Sequence, residues 1–97
     1  MGDTNFYIVL NLKTAEGFNS YGRFFIGKDK NTADEIFKKL KGNKKVTEKS
    51  ILTLELREAT KGLPLDVQLI SCTLEELAEN CKTITKETFK LLNLKEM

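Results

Sequence analysis

Three sets of residues carry chemistry that could do work, and each has a plain structural reading beside it. Cys72 and Cys81 are the strongest nucleophiles in the chain. Cys72 stands just before Thr73, and Thr73 with Glu76 forms the capping box that opens a helix. Amide dipoles at such an end favour a thiolate, so a small enzyme using Cys72 is one reading. Cys81 falls about two turns into the same helix, roughly 12 Å along its axis. A disulfide needs Cα atoms within about 7 Å, so the pair should stay unlinked. Free cysteine is among the most buried residue types, and burial as small hydrophobes is the reading preferred for both.

The second set is basic. Lys38, Lys39, Lys41, Lys44, Lys45 and Lys49 crowd one stretch of chain. Such a cluster suits phosphates, and Tyr7 and Phe25 would supply stacking surfaces for bases. Weak nucleic-acid binding through this segment is therefore the runner-up function. Against it, lysines at a helix end complement the helix dipole, and Glu48, Glu55 and Glu58 balance them. The third set is acidic: Glu75, Glu76 and Glu79 on one helix, Glu55 and Glu58 on one strand. Buried acid pairs move protons. Glu75 and Glu79, however, share the helix face opposite Leu74, Leu77 and Cys81, which assigns them to solvent.

Composition narrows the choices further. Histidine is absent. The His general base, the Ser–His and Cys–His pairs and imidazole zinc sites go with it. Two thiols do not complete a zinc site, so no metal and no cofactor is expected. No phosphate loop, nucleophile elbow or EF-hand spacing occurs. Sixteen basic residues against fourteen acidic ones leave +2, too near neutral to announce a nucleic-acid or membrane partner. Two cysteines are too few for a disulfide scaffold, and no apolar run is long enough for a signal peptide or a membrane span. The cytoplasm of a microbe is the expected address. At 97 residues, 40% hydrophobic and 31% charged, the chain is expected to form one domain over 1–97.

Local patterns assign the elements that would position these groups. Residues 6–13 read as a strand with Phe6, Ile8, Leu10 and Leu12 on one face. A long turn over 15–20 leads to a short strand at 23–26. Thr32 and Glu35 suggest a capping box for a helix through Ala33, Ile36, Phe37 and Leu40, closed by Gly42. Residues 43–50 form a polar connector. Residues 51–58 alternate cleanly, with Leu52, Leu54 and Leu56 to one side. Thr60, Lys61 and Gly62 turn the chain, Pro64 opens the next strand, and Leu65, Val67 and Leu69 are placed inward over 65–71. The second helix carries Leu74, Leu77, Ala78 and Cys81. Residues 83–85 interrupt it weakly before a further helical stretch over 86–94.

These elements make two successive ββα units, 6–42 and 51–95. Chain direction then limits an all-antiparallel sheet to the order 2-1-3-4 or 1-2-4-3, and the first is preferred. The expected fold class is α+β: a two-layer sandwich, ββαββα(α), with helices on one face of a four-stranded antiparallel sheet. An RNA recognition motif is excluded, since a helix rather than a hairpin follows its first strand.

The same alternation places Tyr7, Val9, Phe25, Ile51 and Ile70 on the face away from the helices. Asn11, Lys13, Thr53, Glu55, Arg57, Asp66 and Gln68 form a polar rim around them. An apolar centre with a polar rim is the anatomy of a binding surface. The preferred function is thus a small non-catalytic module that binds a protein or small ligand, or associates with itself, through an uncovered sheet face. A homodimer is the default because symmetric dimers are the commonest oligomers. The final helix folding across the patch is the competing arrangement.

Overall fold

Alternating apolar residues in β1 (Thr4–Thr14) and β3 (Leu52–Thr60) bury one side of each strand, and the two pair antiparallel at the centre of the sheet. β2 (Gly17–Gly27) flanks β1 and β4 (Leu63–Cys72) flanks β3, giving the antiparallel order β2-β1-β3-β4. The helices α1 (Lys30–Lys38) and α2 (Leu74–Leu94) cover one face. A computed structural model describes residues 4–47, 49–61 and 63–94, with backbone alone for Pro64, Asp66, Val67 and 92–94. The expectations for Glu48 and Gly62, and those for the side chains of Asp66, Val67, Leu92 and Leu94, fall outside the described residues.

The fold class and the preferred strand order stand. The core fills the space between sheet and helices with Phe6, Ile8, Ile26, Leu54, Leu56 and Ile70 from the strands. Ala33, Ile36, Phe37 and Ile84 come down onto them from the helices. The register organises this layer into cross-strand rows. Leu10, Leu54 and Ile70 make one, and Leu12, Leu52 and Cys72 make the next. The latter row is only half-buried, because α1 has ended and α2 is just beginning above it.

Several local expectations are corrected. β2 is eleven residues long and joins β1 through a tight turn at Ala15 and Glu16, with Gly17 at φ 115°. Its glycines and polar residues conceal a strand that pairs with β1 from Gly17 to Gly27, with two irregularities. β4 changes phase at a bulge: Leu56 faces Gln68, but Arg57 faces Asp66. The extra residue reverses the alternation beyond it. Gln68, Ile70 and Cys72 therefore face the helices, while Leu69 turns outward and is 41% exposed. Leu65 lies beyond helix cover and is exposed.

The caps differ as well. Asp29, not Thr32, caps α1: its carboxylate accepts from Thr32 N–H at 2.9 Å and from the Thr32 hydroxyl at 2.7 Å. Thr73 and Glu76 do form the reciprocal box on α2, at 2.9 and 3.1 Å. Gly42 lies past the helix, where a Cβ would stand 2.5 Å from the Ser71 carbonyl oxygen. Its role is close backbone approach, which lets Asn43 and Ser71 exchange two hydrogen bonds of 2.8 Å.

α2 is one continuous helix. Leu74 and Ala78 are exposed, and the inward stripe runs through Leu77, Asn80, Ile84 and Leu91. Ile84, read as part of an interruption, is the helix's fully buried contribution to the core. Asn80 is also buried. Its side-chain amide accepts from Lys41 N–H at 2.7 Å and donates to the Lys41 carbonyl at 2.8 Å. Both main-chain groups of a residue just beyond α1 are thereby satisfied by α2.

Leu54 sits in the middle of the central row with no exposure. Leu54→Ala should cost about 2–5 kcal/mol of unfolding free energy, measured by denaturant titration. Asn80→Ala should cost about 1–3 kcal/mol by stranding the Lys41 peptide groups, whereas a surface substitution such as Thr85→Ala should stay within about 0.5 kcal/mol.

Candidate functional site: the outer sheet face and the lysine-rimmed groove

Strand alternation brings Tyr7 and Val9 of β1 to the face away from the helices, opposite Phe25 and Arg23 of β2. The Tyr7 and Phe25 rings lie 5.6 Å apart and tilted, and the Arg23 guanidinium stands 5.1 Å over the Tyr7 ring. Phe25 remains 49% exposed, and Phe18, farther along β2 on the same face, 46%. Val9 is buried among its neighbours. Ile51 precedes β3 at the far end of the sheet and is exposed. Ile70 is a correction: the β4 bulge turns it into the core on the opposite face, and Leu69 takes its place outside.

The rim is corrected too. Gln68 faces the helices and donates to Asp34 at 3.4 Å. Thr53 and Glu55 are buried, because the connector from α1 to β3 crosses onto this face and lays Val46 beside them. In this otherwise polar connector, Val46 is the apolar side chain that lies against the sheet. A chain of polar contacts runs beneath. Ser20 donates to Asn11 at 3.1 Å, Asn11 to Glu55 at 3.3 Å, and Arg57 pairs with Glu55 at 2.8 Å. This half of the face is therefore closed by its own network, and the aromatic half stays open. Among the described residues, α2 packs in the helix layer, and Phe25 at the sheet edge shares a depression with its Thr88 and Leu91.

The six lysines do not form one surface. Lys39 is drawn to Glu87 at 2.9 Å, a contact that holds the Glu87 carboxyl below its usual range. Lys41 presents its backbone to Asn80, and Lys38 ends α1. Lys45 is exposed. Lys44 and Lys49 line a groove of about 1150 Å³ at the end of the sheet, over the Leu12, Leu52 and Cys72 row. Tyr7 and Phe25 are at the other end of β1, so the stacking groups and the cations are not combined.

Cys72 forms part of the groove, and Cys81 lies in a separate depression with Thr85 and Phe89. Both thiols are free. Burial pushes the Cys72 thiol above its ordinary pKa, and Glu76 and Cys81 push the same way. The adjacent helix end does not activate it, since Glu76 already occupies the cap. Glu75 and Glu79 are exposed, as their spacing implied. Comparison with protein-family models, with curated proteins and with solved structures gives no match.

The raised thiol has two consequences of one sign. Alkylation of Cys72 should be slower than that of a small free thiol near neutrality and should rise only at higher pH, read by peptide mass spectrometry. Because the folded form disfavours the thiolate, this group's stabilising contribution should fade as pH climbs through the thiol range.

Proposed function

We propose that this chain is a non-catalytic association module that works through the open half of its outer sheet face, with a second copy of itself as partner. The observation that supports this reading is the cluster of Tyr7, Phe25 and Arg23 on a rigid antiparallel pair, with Phe25 half-exposed. Aromatic residues and arginine are the types enriched at interface centres, where they bury large area for little lost freedom. Phe18 and Leu69 stand exposed beyond the polar network, on the same face. Asn11, Glu55 and Arg57 hold one another in place along its edge, which preorganises the rim. The two free thiols suit a reducing compartment, and the cytoplasm is the setting we propose.

Catalysis through Cys72 is disfavoured by a thiol pushed away from its reactive form. Nucleic-acid binding is disfavoured by the separation of the lysines from the aromatics, and by the engagement of Lys39 with Glu87.

The test is solution mass by sedimentation. Wild type should be a dimer at micromolar concentration. Phe25→Glu, at a half-exposed position, should keep the fold and weaken association at least about tenfold by placing a charge in the contact. A monomeric wild type at high concentration, or an undisturbed Phe25→Glu dimer, would refute this surface.

A further inference from the structure

The groove at the end of the sheet has a floor of unusual origin. Leu12, Leu52 and Cys72 pair across three strands on the side that elsewhere forms the core, yet only the first turn of α2 stands beside them, and all three stay half-buried. Adjacent strands lie about 4.8 Å apart, so this apolar strip is roughly 10 Å long. Ile51 and Leu74 stand at its sides with 62% and 72% of their surface exposed, high for residues of their size. One wall is the connector, which contributes Lys44 and Lys49. Among the described residues lining the groove, Glu76 is the acid, and its carboxylate accepts from Thr73 N–H at 2.9 Å. The wall is thus cationic and the floor apolar.

We infer that this groove binds a linear anionic amphiphile, namely a free fatty acid, with its carboxylate between Lys44 and Lys49 and its chain along the Leu12–Leu52–Cys72 strip. Charge complementarity places the head. The floor selects the tail, because a chain without polar groups covers it at no cost in unmet hydrogen bonds. A peptide strand is a poorer match: the Asn43 main chain beside the groove is already bonded both ways to Ser71 and offers nothing to add to. The site is separate from the aromatic face and does not depend on that reading.

Cys72 provides a built-in reporter. Iodoacetamide labelling at about pH 9 lets a raised thiol react, and Cys81 serves as the internal reference. Decanoate, which spans about the length of the strip, should slow labelling of Cys72 roughly tenfold and leave Cys81 unchanged. Acetate, which has the charge without the chain, should protect neither. Decanol, which has the chain without the charge, should protect far less than decanoate. Lys44→Ser with Lys49→Ser, both at exposed positions, should raise the half-protecting decanoate concentration roughly tenfold. Unslowed Cys72 labelling in decanoate, equal protection by decanol, or an unaffected double variant would overturn the proposal. Equal protection by phosphatidylglycerol vesicles alone would also overturn it, in favour of a membrane surface.

Discussion

The contact on which most of this architecture turns is a single side-chain amide. Asn80, buried in the second turn of α2, closes two hydrogen bonds on the main chain of Lys41. A helix end leaves carbonyls and amides without partners. Here a neighbouring helix supplies both kinds at once, in the pattern by which two strands would pair. The clamp fixes where α1 stops and in which direction the chain leaves it. Gly42 then passes against Ser71, Asn43 pairs with β4, and the connector swings to the outer face to seat Val46. The half-buried Leu12–Leu52–Cys72 row lies where this turn leaves the helix layer, beside Gly42 and Asn43.

The elements that were legible are those where one physical signal dominates. Strict alternation in β1 and β3 specified their faces, and chain direction then limited the strand order to two choices. The Thr73–Glu76 box was readable because its spacing is dictated by helix geometry alone. Elsewhere two signals conflicted. Leu65, Val67 and Leu69 promise an inward face, but a bulge absorbs one residue and hands the inward role to Ile70. Nothing in a period-two pattern reveals a bulge before the strands are paired. In α2 the apolar residues Leu74 and Ala78 lie off the buried stripe, and a polar Asn80 lies on it. The trace that could have exposed this is the seven-residue spacing of Leu77, Ile84 and Leu91, with Asn80 between the first two.

The candidate surfaces were legible in part for a related reason. Tyr7, Val9 and Phe25 reach the outer face because β1 and β2 pair in the expected sense there. The rim failed where a distant segment intervened: Val46, isolated among polar residues, gives no periodic signal. Net charge was equally uninformative about placement. A total near zero conceals that Lys39 is consumed by an inter-helix ion pair while Lys44 and Lys49 gather at one end of the sheet.

The bulges have a meaning beyond side-chain direction. Both sheet edges of this strand-rich chain are long, and a long regular edge is a template on which further strands can stack. β2 departs from even spacing at two points, where Tyr21 and Ile26 have no partner in β1. β4 is irregular near its middle, carries at its second position a proline that lacks an amide hydrogen, and has its end at Ser71 occupied by Asn43. Neither margin presents the unbroken ladder of donors and acceptors that fibril growth requires. The irregularities that blurred the sequence pattern thus double as protection against amyloid templating, and straightening either edge would trade that protection for regularity.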